Sequence, residues 1–275
     1  MKLEDIQPAH CYARAQRVLA EVIAVRDEMG RTEDGRPAPE ISGARPRECY
    51  VEALVAWRKV QRLANEIGVS TARALPPAAS LREIQPGHVL QVLDGVLATL
   101  GDIRARIGIQ EAAPEPAIET SRQPSDVLVT VIRINRELSR SLERPFTPSD
   151  VYATVALASS YAARLGTPIA LAPFARKKKP ADCYARLEAC LARAAALVTA
   201  RGEPALAARG TPKDVVPGDV YDLANLVLGE IAMLHALTPN AAPLHAFEPA
   251  PAGHYLPAHV DQLARTLEAQ LGSIK

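Results

Sequence analysis

A chain of 275 residues that is 48% hydrophobic and 23% charged can bury a sizeable core, which excludes a disordered or fibrous protein. Its net charge of +1 gives no global pull towards nucleic acid or anionic surfaces, and 4% aromatics leave the core to alanine and aliphatic side chains. No apolar run approaches the roughly 18 residues of a membrane span, and the start lacks the apolar segment of a secretion signal.

The first element opens Pro8-Ala-His10-Cys11-Tyr12, and the same pattern recurs at Pro46-Arg-Glu48-Cys49-Tyr50, Pro86-Gly-His88-Val89-Leu90 and Pro124-Ser-Asp126-Val127-Leu128. It continues at Pro148-Ser-Asp150-Val151-Tyr152, Pro180-Ala-Asp182-Cys183-Tyr184, Pro217-Gly-Asp219-Val220-Tyr221 and Pro257-Ala-His259-Val260-Asp261. Proline suits the first helical position, where its missing N–H costs nothing, and an acid two residues later faces the positive helix end. Thr147 and Asp150 have the spacing of a capping box. Gly30, Gly68, Gly108 and Gly202 each follow their proline by 22 residues, where glycine closes a helix cheaply. Each unit therefore predicts a helix of about 21 residues, roughly 32 Å long.

Counted from each proline, positions +3, +7, +10, +14, +17 and +21 are nearly all apolar. In the third copy they are Val89, Leu93, Val96, Leu100, Ile103 and Ile107. This 4-3 spacing is the seam of a bundled helix, and no segment clearly shows the period of two that a strand needs. The predicted fold is all-α: eight repeated helices arranged as two tandem four-helix bundles, residues 1–145 and 146–275. The boundary falls at the shortest proline step, Pro124 to Pro148. A continuous eight-helix solenoid is the competing layout. The other connections hold about 14–18 residues rich in Pro, Ala and Gly; up-down packing of neighbours is the usual expectation for a bundle.

The chemistry-bearing residues are few. Cys11, Cys49 and Cys183 replace valine at +3, and Cys190 lies on the same face, so all four read as structural thiols. Tyr12, Tyr50, Tyr152, Tyr184 and Tyr221 stand at +4, beside the seam; with Trp57 they are candidates to line a small-molecule pocket near the helix N-termini. His235, His245, His254 and His259 gather around the last long connection and are the candidate metal ligands. Arg176-Lys-Lys-Lys179 is the one dense charge run; it reads first as a solvated loop, with an acidic or phosphate partner as the alternative. No phosphate-binding loop, dinucleotide fingerprint, zinc-protease pair or nucleophile elbow is present.

The functional expectation is a non-enzymatic helical-repeat module, a scaffold, adaptor or sensor-like protein working through a protein partner or self-association. It uses no cofactor and binds no nucleic acid. Two alternatives are a small-molecule-binding bundle and a metal-dependent enzyme using the late histidines. The composition, rich in alanine, proline and arginine, suggests a GC-rich bacterial genome. A cytoplasmic location follows if Met1 is the natural start, and a soluble periplasmic fragment if it is not.

Overall fold

The computed structural model describes residues 3–38, 40–70, 74, 80–143, 145–209, 212–239, 241 and 253–274. Its fold is all-α. The helices are α1 (Pro8–Glu28), α2 (Pro46–Glu66), α3 (Pro86–Ile107), α4 (Pro124–Ser141), α5 (Pro148–Ala163), α6 (Pro180–Ala200), α7 (Pro217–Leu237) and α8 (Pro257–Ser273). Every one starts on its repeat proline. Where a glycine follows at +22, it sits at φ between +65° and +89°, the left-handed region that closes a helix. The helices without that glycine include the shortest, α5 at 16 residues and α8 at 17. Two three-residue strands, β1 (Glu40–Ser42) and β2 (Ala207–Arg209), pair with each other. They are too short to show a period of two in the sequence.

One capping device recurs in all eight helices. The side chain two residues after the proline accepts a hydrogen bond from the N–H of the residue before it, at 2.5–3.0 Å. Glutamate and aspartate use a carboxylate oxygen, whereas His10, His88 and His259 use Nδ1, which places their ring proton on Nε2. Imidazole and carboxylate interchange because both present an acceptor at the same reach. Asp182→Ala is therefore expected to cost about 1 kcal/mol in urea denaturation, with Asp182→His retaining most of that.

The chain divides into two compact units, Met1–Pro145 with Ala208–Gly210, and Phe146–Ala207 with Thr211–Lys275. In the first, α1 packs on α3 and α4, and α2 packs on the same two, so α1 and α2 lie diagonally opposite. The second repeats this order: α5 and α6 each pack on α7 and α8.

The expectation of up-down packing is corrected. Pro8, Pro46, Pro86 and Pro124 meet around one pit with Cys11, Cys49, Val89 and Val127. Pro148, Pro180, Pro217 and Pro257 meet likewise with Val151, Cys183, Val220 and Val260. All four N-termini of each unit thus lie at one end, and the helices run parallel. Connections of 16 to 19 residues make this arrangement feasible, since 16 extended residues reach about 53 Å, well beyond one helix length. The solenoid layout is corrected as well, because each set of four closes on itself.

Residues equally distant from their prolines then fall at one height. In the first unit the +7 layer is Ala15, Ala53, Leu93 and Val131, and the +14 layer is Val22, Val60, Leu100 and Leu138, all fully buried. The second unit has Val155, Leu187, Ala224 and Ala264 at +7, and Ala162, Ala194, Ile231 and Leu271 at +14. The α7 helix passes a test of length and composition for a membrane span, but 67% of that stretch is buried inside the protein, as in a core helix.

Three of the connections climb the outside of their bundle, each pinned to the helix it crosses. The segment after α1 crosses α4, where Arg136 Nη1 donates to the Pro37 carbonyl at 2.9 Å. The segment after α3 crosses α1: the Ala113 N–H donates to Glu21 Oε1 at 2.8 Å, and Glu115 pairs with Arg14 and Arg17. The segment after α5 crosses α8, where Gln262 Nε2 donates to the Ala172 carbonyl at 2.7 Å and the Ala172 N–H donates to Thr266 Oγ1 at 2.9 Å.

Candidate functional site

Between neighbouring helices, five of the side-chain pairs form rungs with one register. Position +13 of one helix meets +18 of the next, as in Glu137 with Arg26 at 2.5 Å and Glu21 with Arg104 at 3.6 Å. Position +6 meets +11, as in Glu52 with Asn135 at 2.7 Å and Arg186 with Glu268. Tyr161 at +13 and His235 at +18 make the same step, their rings edge to face at 5.4 Å. A constant offset between flanking positions, the same at both levels, is the signature of parallel coiled-coil packing. Burial opposes the charge of Arg26, yet hydrogen bonds to Asp27 and Glu137 hold its pKa above the ordinary value.

The four cysteines are buried free thiols, as their seam positions imply. Cys11 donates its S–H to the Pro86 carbonyl at 3.1 Å, Cys49 to Pro124 at 3.2 Å and Cys183 to Pro257 at 3.1 Å, so each ties two helix starts together. Cys190 donates to the Ala264 carbonyl at 3.4 Å. Burial pushes Cys11, Cys183 and Cys190 up to about 12, and Cys49 well above its ordinary value. A thiol whose pKa rises on folding stabilises the fold below its unfolded pKa, and that contribution fades as pH climbs towards the folded one. Stability should therefore decline from about pH 9 towards pH 12. At pH 8 a thiol reagent should find no reactive cysteine in the native chain and all four after denaturation.

The tyrosines do not form a ring around the bundle axis. Tyr12 is half-buried, accepts a hydrogen bond from Gln16 at 2.7 Å and lies under the Arg122 guanidinium at 4.3 Å. Tyr50 is buried, Tyr184 half-buried, Tyr152 stacks on Tyr255 at 3.7 Å and Tyr221 stacks on Phe146 at 4.2 Å. Burial raises the hydroxyls of Tyr50 and Tyr152. None of the five lines a pit; the pits are lined only by proline rings, cysteine and valine, and each has a cavity volume of about 10 Å³. Trp57 is half-buried on α2, and its indole N–H finds no acceptor among the described residues.

The late histidines are likewise not brought together. His235 lies near the end of α7 and His259 at the start of α8; in parallel helices that separates them by about 24 Å along the axis. His259 caps α8 between the rings of Phe174 and Tyr255, and His254 is exposed. His245 lies outside the described residues. Among the described residues no three His, Cys, Asp or Glu groups converge as metal ligands.

The basic run does more than fill a loop. Lys178 pairs with the buried carboxylate of Asp261 at 3.5 Å, and Arg265 joins the same carboxylate at 3.0 Å while donating to the Pro173 carbonyl at 2.5 Å. The segment 169–179 is thereby clasped to α8. Below it, Arg186, Arg193, Arg265 and Glu268 line a shallow groove between α6 and α8. Sequence reasoning missed this clasp. Its one signal was an aspartate, Asp261, at the +4 position that other copies give to tyrosine or leucine. No family model, curated protein or solved structure matches the chain.

Proposed function

We propose that the chain is a non-enzymatic helical scaffold or adaptor that acts through the outer surfaces of its bundles. The observation supporting this reading is how its polar side chains are used. Those at position +2 cap helices, those at +6 and +13 build rungs, and further polar groups pin the crossing segments. On the outside lie three long connections pinned to the helices they cross, a surface suited to recognition. Crosslinking and capture of the tagged chain from its native extract should recover a partner at a fixed ratio, or a second copy of itself. Failure to capture either, together with catalytic turnover by the purified chain, would overturn the proposal.

The second reading, a bundle that seats a small molecule near its N-terminal end, draws little support from the pits. Each pit has a cavity volume of about 10 Å³, far below the roughly 300 Å³ at which ligand pockets begin, so little more than a water-sized group fits as the side chains stand. Native mass spectrometry separates the two readings: a bare mass supports the adaptor, whereas a reproducible added mass lost in Val89→Leu supports the pit.

A further inference from the structure

Seven large apolar side chains are exposed among the described residues, and three of them, Ile169, Leu171 and Phe174, fall close together on the segment crossing α8. A fourth, Leu256, is 58% exposed at the start of α8; its N–H is held by His259, whose ring lies 5.0 Å from that of Phe174. Shortly after Phe174 comes Arg176-Lys-Lys-Lys179, of which Lys178 is committed to Asp261. Exposed apolar residues and a basic run thus share one strap, held in place by the clasp on α8.

Lys178 serves the clasp, but the rest of the run carries two local costs. Lys177 adopts φ 60°, a conformation that glycine or asparagine takes more cheaply. The run also sits at the positive end of α6, which disfavours cations. From these observations we infer that the strap over α8 is a docking surface for an anionic lipid membrane. Charge complementarity selects the occupant. Flexible lysines match the diffuse charge of headgroups better than a bidentate site, and convex leucine and phenylalanine side chains can enter a fluid surface without a matching groove. A basic cluster and an apolar insertion together supply the two signals that stable membrane association requires. The inference does not depend on the adaptor reading.

The test is co-sedimentation of the full chain with vesicles of phosphatidylcholine alone or of phosphatidylcholine mixed with phosphatidylserine. Binding to the anionic vesicles is expected, weakening as salt rises. Neutralising Arg176, Lys177 and Lys179 to glutamine should lower partitioning about five-fold per residue. Leu171→Ser with Phe174→Ser should lower it at least roughly ten-fold. These residues are exposed, so an unchanged melting temperature will confirm that the variants fold. Equal binding to both vesicle types, no binding to either, or binding indifferent to the strap variants would overturn the proposal. So would binding to an oligoglutamate peptide without binding to vesicles, which would assign the strap to an acidic protein partner.

Discussion

Leu93→Ala is expected to destabilise the chain by about 2–5 kcal/mol, Ala53→Leu by about 1–3 kcal/mol, and the two together by less than either alone. Both residues are fully buried at +7 of neighbouring helices, α3 and α2. Removing the Leu93 side chain leaves a cavity in a layer whose other members, Ala15, Ala53 and Val131, are too small to fill it. Adding leucine at 53 overfills the same layer. The swap conserves layer volume only if both positions stand at one height, which parallel, in-register packing requires. Urea denaturation of the two single variants and the double variant measures the coupling; purely additive losses would show that the residues do not share a layer.

The second large effect concerns Arg26 and Glu137, whose side chains are 7% and 11% exposed. Glu137→Leu should cost about 3 kcal/mol, because it strands a guanidinium with little access to water. The cost sits at the lower end of the range for such pairs because Asp27, itself 60% exposed, still holds the other edge of Arg26. Arg26→Met combined with Glu137→Leu should return close to the native stability, since no charge is then buried. Thermal melts across the cycle check this. A double variant as unstable as Glu137→Leu alone would mean that the loss comes from packing rather than charge.

Much of this fold is legible in the residues themselves. Proline with an acceptor at +2 marks each helix start, glycine at +22 marks several ends, and the apolar spacing marks the seam. The direction of the helices was not legible. A connection of about 16 residues can reach either end of a helix roughly 32 Å long, so chain length does not decide between return and reversal. The deciding signal is the charge pairing of +13 with +18 in Glu137 and Arg26, which reads as parallel only once α1 and α4 are known to be neighbours. Diagonal placement of consecutive helices hides that neighbourhood. The strand pair was invisible because such short segments carry no periodicity.

The candidate site was less legible for a related reason. Tyrosines at equivalent repeat positions read as convergent, but a side chain at +4 flanks its own helix. The late histidines were close in sequence across one connection, and parallel packing draws the two ends of that connection apart. The clasp on α8 depends on Asp261, Gln262, Arg265 and Thr266 meeting a segment far earlier in the chain, a pairing that no local pattern announces.

Parallel packing is tested most directly by spin-label distances in the native chain. The four native cysteines are buried, so labels attach selectively to introduced ones. Gln7 and Gln85 are exposed N-caps of the neighbours α1 and α3, and Arg106 is exposed at the far end of α3. Helix axes about 10 Å apart predict a Gln7–Gln85 distance below about 20 Å, and the rise of about 1.5 Å per residue predicts a Gln7–Arg106 distance beyond about 30 Å. A long first distance with a short second one would mean that α1 and α3 run antiparallel, contradicting the bundle described above.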